Sequence, residues 1–211
     1  MPPIAVLDFE TTGLSPAMGD RATEVAIVLV ENGKVVDRFQ SLMNAGVRIS
    51  SFIESFTGIT NEMIEAAPPA DEVMAAASRF VGDSPLVAHN ASFDSRFWAS
   101  ELARIQPAPP RRALGSFEPS HGTAGTRQSH ESTVQNANAP FACTMLLSRR
   151  LYPEARSFRL SSLAAFHDLS FSGRAHRAMA DAEVAAALLA RIQRDLERRY
   201  DVFDCAHELL V

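Results

Sequence analysis

Cysteine is scarce: Cys143 and Cys205 are the only two in 211 residues, and they lie far apart. That excludes a disulfide framework and a cysteine-based zinc module, and it fits a reducing cytoplasm. No apolar run approaches the ~20 residues that cross a bilayer, so no membrane role is expected. Met1-Pro2-Pro3 leads straight into a short apolar stretch without a basic segment, so a secretory leader is not expected either. An excess of positive charge is also missing. Twenty Lys and Arg stand against 25 Asp and Glu, a net of −5. This disfavours a protein that grips nucleic acid by net charge alone.

The residues present make a folding composition. Apolar residues supply 46% and charged residues 21%, the balance of a globular chain with a real core. At this length a fold hides roughly 70% of its extended-chain surface, so it needs no disulfide or structural metal. The charge is unevenly placed. Residues 1–100 hold 13 acids and 6 bases, a net of −7. Residues 141–177 hold Glu154 and Asp168 against six arginines (149, 150, 156, 159, 174 and 177), a net of +4. Such a segment is either a solvated face or a grip for phosphates.

Alternation of strands and helices predicts an α/β layered domain. Ile4–Leu7 reads as a buried strand leading into Asp8-Phe9-Glu10. Glu24–Val30 and Lys34–Met43 read as two more strands around Asn32-Gly33, a strong hairpin signal. The sheet should therefore be mixed, with a leading antiparallel hairpin. Residues 51–66 read as short helical pieces broken at Gly58, and 70–81 as a helix closed by Gly82. A short strand at 85–88 and a helix at 93–105 come next. Residues 141–151 read as a strand or the start of a helix, with helices at 160–166 and 178–199 beyond. Between them, 106–140 holds only Leu114, Phe117 and Val134 as large apolar residues and reads as a mobile surface loop. The alternative is an interdomain linker, but the chain beyond residue 140 is too short for a separate domain. The expected organisation is one domain over 1–200, with an insertion at 106–140 and a tail at 201–211.

Four acids stand out. Asp8 and Glu10 are two apart on a strand, so both face one side, roughly 7 Å apart. Paired carboxylates on an apolar strand are costly unless their charge is cancelled, and hard divalent cations do that through oxygen ligands. Asp94 and Asp181 each fall in the first turn of a helix, where an acid also suits the helix dipole. Sites of open α/β sheets gather at the carboxyl ends of parallel strands, so these acids could converge. Taken singly, each is more simply a solvated strand-end acid or a dipole partner.

The order of the motifs gives them a family resemblance. Asp8-x-Glu10-Thr11-Thr12-Gly13-Leu14, His89-Asn90-x-x-Phe93-Asp94 and His176-x-Ala178-x-x-Asp181-Ala182 resemble the three motifs of the DEDDh, DnaQ-like 3′–5′ exonucleases. That family includes the proofreading epsilon subunit of bacterial DNA polymerase III, ribonuclease T and oligoribonuclease. Phe56-Thr57-Gly58-Ile59-Thr60 is similar to its His-Gly-Ile-Thr segment, with Thr57 where His is usual. Cys143-Thr144 and Arg149-Arg150-Leu151-Tyr152-Pro153 are also similar. The likeness spans about residues 4–195, and 106–140 departs from it as an insertion.

The resemblance implies a ribonuclease H-like fold with helices on both sheet faces. It also implies two-metal phosphodiester hydrolysis with two divalent cations, Mg²⁺ or Mn²⁺. Asp8, Glu10 and Asp181 would bind one cation. Asp8 would reach the second, and Asp94 would act there directly or through water. His176 would be the general base, since imidazole accepts a proton near neutrality. Thr11, Thr12, Gly13 and Leu14 would hold the 3′-terminal nucleotide, with Ile59 and Phe93 beside it and Asn90 ordering the site. Leu14 and Phe93 read equally well as core residues. The implied substrate is a single-stranded 3′ end, DNA before RNA, releasing nucleoside 5′-monophosphates. The implied protein partner is a DNA polymerase catalytic subunit, with the chain a monomer or homodimer. The rival readings are an RNA-trimming exoribonuclease and a non-catalytic polymerase-associated subunit.

Overall fold

The computed structural model describes residues 2–105, 137, 139–170 and 176–202. The 106–140 insertion falls almost wholly outside these residues, as does the tail beyond 202. Three long strands open the chain: β1 (Ile4–Thr11), β2 (Ala22–Glu31) and β3 (Lys34–Leu42). They pair antiparallel in succession. Asn32 and Gly33 make the tight turn between β2 and β3, both at positive φ (51° and 72°), as the strand twist demands. Two short strands, β4 (Leu86–Ala88) and β5 (Phe141–Cys143), add to the other side of β1, parallel to it. The order across the sheet is β3-β2-β1-β4-β5.

Because side chains alternate along β1, it feeds two cores. Ala5, Leu7 and Phe9 pack with α3 (Ala70–Val81) and α4 (Ala91–Leu102). Trp98 of α4 is 0% exposed, 6.4 Å from the Phe9 ring. Val6 packs with α5 (Thr144–Leu151), α6 (Leu160–Phe166) and α7 (Ala178–Tyr200) on the opposite face. Helices therefore cover both faces of a mixed sheet, as the sequence predicts. Two short helices, α1 (Ser51–Thr57) and α2 (Asn61–Glu65), close over Ile49, Ile59 and Ile64.

Several boundaries differ from expectation, and three of them bear on the site. β1 runs on to Thr11, because β2 keeps pairing with it as far as Ala22. Asp8 and Glu10 thus lie on the strand, as their shared face requires. Helix α4 begins at Ala91, two residues early, because Asn90 turns the chain in the left-handed region (φ 64°) immediately after β4. Residues 141–151 are both strand and helix, three residues of β5 followed directly by α5.

Candidate active site

The three acids predicted to share a cation come together. Asp8 and Glu10 project from one face of β1, and Asp181 reaches them from the first turn of α7. Each offers a carboxylate oxygen, and these oxygens all lie within 4.8 Å of one another. Their electrostatics record the crowding. Burial, then the charges of Asp181 and Glu24, push Glu10 up to about 8, with Arg177 opposing. Asp8 is raised well above the carboxylate range by burial, then by Asp94, Glu10, Asp181 and Glu24. Burial also raises Asp181, while the charge and main-chain N–H of His176 pull it down. The cluster is short of positive charge, and an all-oxygen donor set of this size fits a hard divalent cation.

Asp94 stands beside this triplet. It is 2% exposed, and its Oδ1 accepts the Phe9 N–H at 3.2 Å. Burial raises its pKa, with the N–H bonds of Phe9 and Asp94 opposing. One oxygen is therefore committed to the main chain of β1, which fixes the carboxyl next to Asp8 where α4 starts.

A fifth acid was missed in the sequence. Glu24 lies opposite Glu10 in the β1–β2 register and is 0% exposed. Its Oε1 accepts from Arg177 Nη2 at 2.7 Å and Oε2 from Arg177 Nε at 3.1 Å. The Ala178 N–H donates to Oε2 at 3.1 Å and Gln40 Nε2 to Oε1 at 2.8 Å. This pair fastens the start of α7 to β2 and so places His176 and Asp181. The signal was available: a charged residue inside the apolar run Ala22–Val30 must find a partner. Arg177, a candidate phosphate contact in the sequence, is engaged here instead. Arg149 sits over the Phe158 ring at 5.8 Å, and Arg174 is outside the described residues.

His176 is exposed and holds φ 61°. Its imidazole stacks on Phe56, with centroids 3.9 Å apart. The loop after β1 is internally tied. Thr11 Oγ1 donates to the Gly13 carbonyl at 2.6 Å, and Thr12 Oγ1 accepts the Arg21 N–H at 3.0 Å. A Cβ on Gly13 would collide with the Asp20 carboxylate, which accepts the Ser15 N–H at 2.9 Å. Leu14 stands out from this loop, 79% exposed, so it is no core residue. Phe93 is half-buried against the α3–α4 core, 4.9 Å from Phe97.

Ile59 corrects an expectation. It is 0% exposed, packed with Ile49 and Ile64, so its side chain offers no surface to a nucleotide. Thr57, standing where the resembled family has His, is structural. Its Oγ1 donates to the Ile53 carbonyl and accepts the Ile59 N–H, bracing the Gly58 turn. His89 is structural too. Its two ring nitrogens meet Thr144 Oγ1 at 2.9 Å and the Phe158 carbonyl at 3.0 Å.

Comparison with known proteins agrees with this geometry. The model of the RNase_T exonuclease family matches residues 5–189. The chain belongs to this exonuclease family, and its motif set is that of the DnaQ-like 3′–5′ exonucleases. Among curated relatives, the PolC-type DNA polymerase III of Bacillus cereus is 34% identical over 200 residues, 94% of this chain and 12% of that one. The Bacillus subtilis counterpart is 33% identical over 190 residues, 90% of this chain and 11% of that one. The chain thus spans about an eighth of the length of these relatives. Exonuclease X in complex with 5′ overhanging duplex DNA superposes with a TM-score of 0.65 at 24% identity, covering 98% of this chain and 96% of that one. The nuclease domain of 3′hExo, a DEDDh family member bound to rAMP, gives 0.67 at 19%, covering 91% and 92%. Escherichia coli exonuclease I with a dT13 oligonucleotide gives 0.70 at 17%, covering 95% and 43%. The fold is that of these ribonuclease H-like exonucleases.

Proposed function

We propose that the chain is a metal-dependent 3′–5′ exonuclease domain, spanning 1–200, that trims unpaired 3′ ends of DNA and releases nucleoside 5′-monophosphates. The observation that carries this reading is the convergence of Asp8, Glu10 and Asp181 to within 4.8 Å, with Asp94 alongside. Asp8, Glu10 and Asp181 would hold one divalent cation, and Asp8 with Asp94 a second, either Mg²⁺ or Mn²⁺. Bound there, the cations would supply charge neutralisation at the phosphate and acidify water. His176 takes the proton of the attacking water, and the Arg177–Glu24 pair fixes its main chain. The Thr11–Leu14 loop receives the terminal nucleotide, with Leu14 and Phe93 as its apolar contacts. DNA is favoured over RNA because the curated relatives are DNA polymerases, and a polymerase catalytic subunit is the natural protein partner. Among the described residues no helix is long and apolar enough to cross a membrane.

The test is digestion of end-labelled single-stranded DNA and RNA of equal sequence with Mg²⁺, Mn²⁺ or EDTA. Mononucleotide release from the 3′ end, abolished by EDTA and by Asp8→Ala, supports the proposal. Faster release from RNA would instead assign an exoribonuclease. No release from either polymer, with no metal binding by calorimetry, would leave a binding subunit.

A further inference from the structure

Helix α4 grips two parts of the site from one face. Asp94, in its first turn, accepts the Phe9 N–H of β1 at 3.2 Å. Glu101, near its end, lies two turns or about 10.5 Å further along the same face. Glu101 is 1% exposed, and its carboxylate closes on the chain where β2 begins. Arg21 donates to it as a fork, Nε to Oε1 and Nη2 to Oε2, each at 2.8 Å. The Ala22 N–H adds a bond to Oε1 at 3.1 Å. The other terminal nitrogen of Arg21, Nη1, donates to the Ala45 carbonyl at 3.1 Å. The main chain of Arg21 closes the neck of the loop that follows β1. Its carbonyl accepts the Thr12 N–H at 2.8 Å, and its own N–H donates to Thr12 Oγ1 at 3.0 Å. The strands lose their regular register at this point, since Glu10 faces Glu24 but Thr11 faces Ala22. Such a bulge disrupts the ladder and bends the strand. Glu101 takes the Ala22 N–H there and fixes the bend.

Stability alone gives little reason for this pair. A buried ion pair replaced by apolar residues of like volume is often no less stable. What the fork supplies is one geometry, because a guanidinium and a carboxylate meet in a plane through two parallel bonds. We propose that Arg21 and Glu101 are positioning residues that fix the Thr11–Leu14 loop against the carboxylate cluster and so set how tightly a 3′-terminal nucleotide is held. The inference rests on the exonuclease reading and deepens it. Both residues act through Thr12 and the loop neck. The loop meets the nucleotide in the ground state and the transition state alike, so slackening it removes uniform binding and raises KM. Asp94, at the other end of α4, keeps its bond to Phe9, so kcat holds.

Arg21→Met combined with Glu101→Leu tests this in the full chain, since it leaves no charge buried. KM for end-labelled oligothymidylate, measured where all variants are folded, should rise about tenfold with kcat within about twofold. The melting temperature should stay close to that of the wild type. Arg21→Lys keeps the charge without the fork and should raise KM by an intermediate factor. Thymidine 5′-monophosphate, titrated with Mg²⁺ and followed by NMR, should bind the double variant about tenfold more weakly. An unchanged KM overturns the proposal and leaves the pair a fold element only. A fall in kcat at constant KM also overturns it and places the effect at Asp94. If the double variant does not fold, Arg21→Lys and Glu101→Gln decide by the same split. If the wild type releases no nucleotide with any metal, the exonuclease reading fails. The monophosphate titration then still decides the positioning role, and equal affinity in wild type and variant, or none in either, overturns it.

Discussion

Each carboxylate of the cluster holds its proton more firmly than a free acid does, so each ionised group works against the metal-free fold. Burial and its acidic neighbours push Glu10 up to about 8. Glu10→Gln should therefore raise the melting temperature in EDTA at pH 8.5 by at least about 2 °C, roughly what 1 kcal/mol gives at this size. The same variant should lose nearly all nuclease activity, because a cation ligand is gone. A lower melting temperature would show that Glu10 is a structural acid. His176→Ala should leave stability unchanged and slow hydrolysis by about 10² to 10⁴ at saturating metal, the usual range for a lost general base. At this scale the acids and His176 were legible through the resemblance of three ordered motifs to the family's, since singly each reads as a solvated or dipole-facing side chain. Ile59 and Glu24 were not. Whether an isoleucine faces nucleotide or core, and whether an acid finds an arginine 153 residues away, is decided by packing between segments.

The start of α7 is fastened to β2 by a buried ion pair. Arg177→Ala would strand Glu24, 0% exposed, without its cation. The expected cost is about 3 kcal/mol, the lower end for a broken buried pair, since Arg177 is itself 29% exposed. Turnover should fall at least tenfold in parallel, because His176 and Asp181 lose their anchor. The double variant Glu24→Gln with Arg177→Met should unfold at a higher temperature than Arg177→Ala alone, since no charge is left buried. Thermal denaturation of the three proteins checks this order. Most elements could be read in advance, α3 and α7 from their period and the β2–β3 hairpin from Asn32-Gly33. The end of β1 could not, because it depends on how long β2 stays beside it. Nor could the start of α4, which depends on Asn90 adopting φ 64°.

Taken whole, the molecule links stability to pH and metal. The folded pKa of Glu10, about 8, lies above its ordinary value of 4.5. Its proton-linked stability is complete below the ordinary value and is lost as pH rises through about 8. Asp8, Asp94 and Asp181 are raised in the same direction. In EDTA the melting temperature should fall between pH 5.5 and 8.5. Excess Mg²⁺ should flatten that fall, since a cation at about 100 times its Kd adds ~2.7 kcal/mol. Binding should also release protons, measurable by calorimetry in buffers of different ionisation enthalpy. A melting temperature that rises with pH in EDTA would refute this linkage. The layered architecture was legible from alternating elements, whereas the strand order β3-β2-β1-β4-β5 was not, since single-sequence periodicity carries no pairing information.

The acids within 4.8 Å of one another come from distant parts of the chain, positions 8 and 10 against 181. Synthesis delivers the first strand early and α7 late. A nascent chain therefore displays the Asp8–Glu10 pair long before it owns His176 or Asp181. Until α7 docks through Arg177, the polypeptide has no complete hydrolytic centre, and a fragment cut short of residue 176 never acquires one. On the proposed reading, nuclease chemistry is thus switched on by completion of the fold.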